Sequence, residues 1–235
     1  MDEPINVVTV FWDGEFRGRD YGLDDVARIN SNVAKYTSHE LKFWCLTNIK
    51  ENIDNCESVP LIHGLPGWWS KLEIFRDNLP FSGRSIFFDL DMVICADINQ
   101  LIELPEELIF APPKFSSKDS PEVKIGSIKN KRGKKFVWRY SSSVVMWIAN
   151  KYVVDIDKLI SSGLMDIYRG DQDYLGVHFA NEGFTFPAEW FEKMRHCYHS
   201  GPTNGVKIVS GNPKYMFRKA LDKESGPQWV KNALQ

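Results

Sequence analysis

A chain of 235 residues, with 43% apolar and 26% charged side chains, has the size of one ordinary domain and a composition that excludes a disordered or fibrous protein. Its longest apolar runs, such as Val7 to Trp12, are strand-sized and fall short of the ~18 residues of a membrane span. The net charge of −2 hides an asymmetry, because residues 1–113 carry 19 acids against 9 bases and residues 114–235 carry 12 against 20. Nine of those bases lie between Lys114 and Arg139, which points to an anion-facing side or, with equal weight, to a solvated charged loop.

The start, Asp2-Glu3-Pro4, is acidic and leads straight into an apolar run, unlike a signal peptide, so a cytoplasmic chain, at most peripheral at a membrane, is expected. Ile5 to Phe11, β-branched and aromatic, predicts a buried strand. After a polar turn over Gly14 to Tyr21, apolar residues at Val26, Ile29, Val33 and Tyr36 predict a helix, with Asp24 or Asp25 as its cap. Leu41 to Leu46 predicts a second strand, and a strand–helix–strand opening implies a parallel sheet. Leu65 to Gly67 reads as a turn, Trp68 to Phe75 as a short helix, and Arg84 to Phe88 as a third strand. A strand pair is expected around Phe136 to Ile148 with a turn at Gly133, then helices over Asp157 to Leu164 and Asp171 to Phe179, the latter capped by Asp171. A short strand at Val206 to Val209 and a helix at Gln228 to Leu234 close the chain. No repeat or linker divides it, so the expectation is one α/β domain over residues 1–235. The four cysteines form no Cys-x-x-Cys pair, which excludes zinc-ribbon and thioredoxin-type sites; Cys45 and Cys95 read as buried free thiols in a reducing compartment.

Chemistry is most legible at Asp89 and Asp91, where the third strand ends. Two acids separated by one apolar residue point to the same side of an extended chain, with Leu90 turned into the core. Carboxylates so close to a buried run are costly unless a cation or hydrogen bonds compensate them. Paired oxygen ligands suit Mg²⁺ or Mn²⁺ completed by phosphate oxygens, and open parallel sheets bind ligands beyond the carboxyl ends of their strands. A solvated or capping acid pair in a turn is the plainer alternative.

Five short segments then occur in order: Gly67-Trp68-Trp69-Ser70-Lys71-Leu72-Glu73, Ser85 to Ala96 with its Asp-Leu-Asp, Ser141-Ser142-Ser143-Val144-Val145-Met146-Trp147, Gly170-Asp171-Gln172-Asp173-Tyr174-Leu175, and Gly211-Asn212-Pro213-Lys214. The series resembles nucleotide-sugar glycosyltransferases of the GT-A fold, specifically glycosyltransferase family eight and its small bacterial relatives, over residues 5–232. The resemblance implies a single Rossmann-like GT-A domain with a mostly parallel central sheet. It also implies metal-dependent transfer, with retention, from a nucleoside-diphosphate sugar, a UDP-sugar first. Val10 and Phe11 would then lie along the base, Lys71 would face donor phosphate or sugar, and Asp89 and Asp91, with Leu90 between them, would grip the diphosphate through Mn²⁺ or Mg²⁺. Ser142 and Ser143 would flank the donor sugar, Asp171, Gln172 and Asp173 would line the reacting centre as catalytic residues, and Lys214 would meet the leaving diphosphate. One departure is plain: relatives place a histidine ligand where this chain has Ile208 or Ser210, which leaves His196 and His199 as weak substitutes.

Two rival readings accompany this one. The missing histidine suggests a non-catalytic or weakly catalytic sugar-nucleotide-binding homologue, and the acid pair alone would also serve a metal-dependent nucleotidyl- or phosphotransferase. The acceptor is expected to be anionic. Lys129, Lys131, Arg132, Lys134, Lys135 and Arg139, beside Phe136, Trp138 and Tyr140, place six cations within eleven residues, and such a cluster repels itself without an anion. A phosphorylated glycan or a lipid-linked acceptor ranks first and nucleic acid second.

Overall fold

Strand β1 (Ile5–Phe11) is buried along its whole length, as befits a strand inside a sheet covered on both faces. The computed structural model describes residues 3–14, 21–113, 127–129, 135–137, 140–211 and 214–235. After β1 come helix α1 (Leu23–Lys35), strands β2 (Leu41–Thr47) and β3 (Glu57–Pro60), a 3-10 helix at Gly67–Phe75, and β4 (Gly83–Phe88). Next are β5 (Met92–Ile94), α2 (Asn99–Ile102), β6 (Leu108–Ala111), β7 (Ser127–Lys129), β8 (Lys135–Val137) and β9 (Ser141–Ala149). The remainder comprises α3 (Ile156–Ser161), α4 (Asp171–His178), β10 (Phe184–Thr185), β11 (Phe191–Lys193), α5 (Met194–Cys197), β12 (Ile208–Ser210), α6 (Lys214–Ala220) and α7 (Gln228–Leu234).

The central sheet has seven strands in the order β10-β6-β9-β4-β1-β2-β3, and of these β9 runs against the other six. This is the α/β class with a mostly parallel sheet that the sequence predicts. Alternation along each strand splits the core in two. Val8, Val10, Trp44, Phe87 and Trp147 join Leu72 and Phe75 of the 3-10 helix on one face. Val7, Phe11, Ile86 and Phe88 pack on Val26, Ile29 and Val33 of α1 on the other. Each fully buried side chain of this size contributes roughly 1.5–3 kcal/mol. A small sheet, β11-β12-β5, carries a third cluster that includes Val93, Val209, Phe217 and Val230.

The antiparallel course of β9 matters for function. It brings the first residues of β9, Ser141 to Ser143, to the carboxyl edge of β4, where the Asp89 N–H donates to Ser143 O at 2.8 Å. The pairing of β12 with β5 likewise brings the Gly211 N–H to Asp91 O at 2.8 Å. Glycine is required there, since a Cβ on Gly211 would stand 2.6 Å from Asp91 O and from the Phe217 ring.

Several local expectations change. Gly22, not Asp24 or Asp25, caps α1, and Asp25 accepts the Gly22 N–H at 3.0 Å from inside the first turn. Gly170 caps α4, so Asp171 is the first helical residue and its carboxylate is free to act elsewhere. The helix expected over Asp157 to Leu164 ends at Ser161, because Gly163 turns at φ +66° before a separate 3-10 turn. β8 and β9 belong to different sheets, and β8 pairs instead with β7 as a hairpin whose last described pair is Lys129 with Lys135. The turn expected at Gly133 and the side chains of the basic cluster lie outside the described residues. All four cysteines are free, Cys45 is buried, and Cys95 is only partly so. No helix among the described residues is long and apolar enough to cross a membrane.

Candidate active site

The buried run Ile86 to Phe88 ends β4, and the chain turns at once, with the Met92 N–H donating to Asp89 O at 3.2 Å. Leu90 points into the core, 6% exposed, so the two carboxylates are left at the sheet edge. Across from them stands the 3-10 helix, anchored by a fully buried Glu73. That carboxylate accepts the Ile62 N–H at 2.8 Å, the His63 N–H at 3.0 Å and Arg76 Nη1 at 2.7 Å. With Leu72 and Phe75 packed into the core, Lys71 is directed at the acid pair.

Lys71 is the hub of the site. Its Nζ lies 3.2 Å from Asp89 Oδ1, 3.2 Å from Asp171 Oδ2 and 3.1 Å from Ser142 Oγ. Ser142 Oγ in turn donates to Asp171 Oδ2 at 2.6 Å, so one hydroxyl orientation satisfies both contacts. Burial works against the Lys71 charge, but Asp171 and Asp89 outweigh it and hold the ammonium well above the ordinary lysine range. Burial, with Asp91 and Asp171 adding repulsion and Lys71 opposing, pushes Asp89 up to about 7. Burial also raises Asp91, against the opposing fields of Lys71 and Arg28. These carboxylates hold their charge at the expense of stability unless further positive charge arrives.

That shift carries a sign. A carboxyl raised in the folded state binds its proton more tightly there than in the unfolded chain, so its contribution to stability is full at low pH and is lost as pH rises through the folded value near 7. The melting temperature of Asp89→Asn minus that of the parent is therefore expected to become more positive between pH 5 and pH 8. Thermal melts at matched ionic strength measure it, and a difference flat with pH would refute it.

A cavity of about 610 Å³ opens over this cluster, lined by Trp68, Lys71, Asp89, Ser142, Ser143, Arg169 and Gly170 to Asp173. That volume suits a small-molecule ligand. Gly170 is needed where it is, since a Cβ would meet Trp68 Nε1 at 2.7 Å. Asp171 and Gln172 face the cavity, whereas Asp173 also borders it but spends its carboxylate on Arg169, whose Nε and Nη2 lie at 2.9 and 3.2 Å.

Other sequence-derived candidates lie elsewhere. Val10 and Phe11, 9% and 5% exposed, are core side chains on opposite faces of the sheet and do not line the cavity. Lys214 opens α6, but its side chain is outside the described residues. Asp89 and Asp91 are joined by no third His, Cys, Asp or Glu in a metal-binding group among the described residues. Ile208 is fully buried and Ser210 is 5% exposed. The suggested substitutes are not brought to the pair: His199 lines a separate cavity of about 350 Å³ with Lys219 and Trp229, and His196 accepts from Arg195 Nε at 3.0 Å. The acid pair still fits a cation, because Mg²⁺ and Mn²⁺ take one or two carboxylates and complete their shell from phosphate and water.

Sequence reasoning missed Arg28, Arg169 and Trp68. Trp68 lies inside the first quoted motif and Arg169 directly precedes Gly170 of the fourth, and both border the cavity. Arg28 donates to Leu90 O and, at 3.0 Å, to Met92 O. Its available signal was a polar stripe, Asp25-Arg28-Asn32, along a helix face that is otherwise core.

No protein-family model matches the sequence, and no curated protein does. Solved structures match in fold. The galactosyltransferase LgtC, in complex with donor and acceptor sugar analogs, superposes with a TM-score of 0.61 at 12% identity, covering 97% of this chain and 93% of that one. The glycosyltransferase GlyE of Streptococcus pneumoniae TIGR4 gives 0.56 at 12% identity, over 100% of this chain and 61% of that one. Mouse xyloside xylosyltransferase 1 gives 0.52 at 15% identity, over 90% and 98%. The chain has the GT-A glycosyltransferase fold.

Proposed function

We propose that this protein transfers a sugar from a nucleoside-diphosphate sugar, a UDP-sugar first, to an anionic acceptor, with a divalent cation and with retention at the anomeric carbon. The observation that carries this reading is the Lys71–Asp89–Ser142–Asp171 cluster under a cavity at the carboxyl edge of a GT-A sheet. Breaking a sugar–diphosphate bond builds negative charge on the leaving phosphate. A cation bound by Asp89 and Asp91 would supply Lewis-acid neutralisation of that charge. Lys71, held as an ammonium, would add a second positive charge, and Lys214 would meet the same diphosphate from α6. Asp171, buried and held by Lys71 and Ser142, would orient a hydroxyl or face a developing oxocarbenium ion, with Gln172 beside it.

The acceptor class rests on the charge of residues 114–139, nine bases against two acids. A phosphorylated glycan or lipid-linked sugar is favoured over nucleic acid, whose binding would show a steeper salt dependence. The buried Ile208 and Ser210 in place of a histidine favour a second reading, a homologue that binds the donor but turns it over weakly. One assay separates the readings. A panel of UDP-sugars with Mn²⁺, offered neutral or phosphorylated acceptors, is expected to release UDP fastest with a phosphorylated acceptor. Thermal stabilisation by UDP and Mn²⁺ without any release would establish the second reading. Neither stabilisation nor release would overturn both.

A further inference from the structure

Three consecutive carbonyls around the acid pair each accept a donor from a distant part of the chain. Asp91 O takes the Gly211 N–H, while Leu90 O and Met92 O, on either side of it, both take Arg28. Arg28 comes from α1, 62 and 64 residues away in sequence, and its side chain is only 14% exposed. Packing alone does not account for a guanidinium there, because a buried charge is costly unless paired.

Its neighbours give only partial relief. Asp25 Oδ1 stands 3.8 Å from Arg28 Nε, and that nitrogen is buried without a hydrogen bond among the described residues. Both Asp25 oxygens are already taken by Arg218 of α6, at 2.9 and 2.8 Å. Asn32, the third polar residue of the stripe, is by contrast satisfied by Ile94 and Ala233. The Arg28 charge therefore lies against the Asp91 segment, and its two Nη groups hold the carbonyls of Leu90 and Met92, the residues on either side of Asp91, while Gly211 holds the carbonyl of Asp91 itself. A planar fork does this with one side chain, whereas an ammonium has no such fixed geometry.

We propose that Arg28 is a positioning residue of the donor site: it clamps the carbonyls of the two residues on either side of Asp91, Leu90 and Met92, setting the direction of the carboxylate between them, and is itself braced through Asp25 by Arg218. The inference rests on the donor-site reading above. It also ties α6, which begins at Lys214, to the acid pair through one chain of contacts.

The test follows Mn²⁺ binding by the electron paramagnetic resonance of the free ion, with UDP present, beside thermal melts of the same samples. Arg28→Gln is expected to weaken Mn²⁺ binding by about 10–100-fold, the usual cost of losing a group that orients a ligand. Arg28→Lys, which keeps the charge but not the fork, should fall between Arg28→Gln and the parent. Arg218→Ala should weaken binding by less than Arg28→Gln. If Arg28→Gln does not fold, the other two variants decide the matter. Parent-like Mn²⁺ affinity in the folded variants, with only the melting temperature lowered, would overturn the inference and leave a purely structural tie. Failure of the parent protein to bind Mn²⁺ with UDP would instead overturn the donor-site reading, and this inference with it.

Discussion

Asp89→Asn and Asp91→Asn are each expected to abolish sugar transfer, lowering turnover by at least ~10²-fold, the scale seen when one preorganised charge-stabilising group is removed, while leaving the protein folded. The fold is expected to survive because both carboxyls are already pushed up by burial, so a neutral amide relieves strain at this edge. Asp89 makes its side-chain contacts with Lys71, which retains Asp171 and Ser142. On the proposed reading, what would be lost is anionic oxygen for a cation, and with it compensation for the diphosphate. The two variants should differ in degree. Asp89→Asn also removes a partner of Lys71, whereas Asp91→Asn leaves that contact untouched. Turnover measured across a Mn²⁺ titration checks the prediction, since a weakened ligand set is recovered in part by excess ion. Parent-like rates in both variants would remove the pair from the chemistry.

How far the sequence discloses this site depends on which contacts are local. The opening β1–α1–β2 unit is legible because seven- and thirteen-residue elements repeat their periods enough times to be read. Strands β5, β10 and β11 have two or three residues each and exist because of their partners, so no period betrays them; of β12, Ile208 and Val209 fall within the short strand expected at Val206 to Val209. The Asp89-Leu90-Asp91 step is legible as two acids at the end of an apolar run. Asp171 was not separable by sequence from an ordinary helix cap. The structure separates the two roles by giving the cap to Gly170 and turning the carboxylate to Lys71 and Ser142. Lys71 alone resembles any surface lysine; its place follows from Glu73, two residues on, whose buried carboxylate pins the 3-10 helix to residues 62 and 63. Val10 and Phe11 illustrate the converse. Their strand end is at the right edge, but a fully buried strand keeps its side chains for the core and offers a ligand only backbone. Arg28 shows in the sequence only as part of the polar stripe with Asp25 and Asn32, because its acceptors are carbonyl oxygens, which carry no sequence signature.

Lys71→Ala is expected to lower turnover by about 10²–10³-fold with an effect on the cation opposite to that of Asp89→Asn. In the free protein the ammonium occupies the ground a cation would contest, 3.2 and 3.3 Å from the two Asp89 oxygens. Removing it leaves Asp89 and Asp171 with less positive charge between them, so the site becomes a better cation trap and a poorer stabiliser of leaving phosphate. Mn²⁺ affinity should hold or rise while kcat falls. A group acting mainly on charge that develops during bond breaking lowers kcat; one that only contacts ground-state sugar raises KM instead. Stability should fall as well, since stripping one partner from a buried ion pair costs roughly 3–5 kcal/mol. Because Asp89 is still 27% exposed and titrates near 7, protonation and water relieve part of this loss. The loss should therefore be smaller at pH 6 than at pH 8. Steady-state kinetics, Mn²⁺ titration and melts on one preparation test all three limbs together. A raised KM with kcat unchanged would move Lys71 from the leaving phosphate to the sugar, and weakened Mn²⁺ binding would show that the lysine orients the acid pair rather than competing with the ion for it.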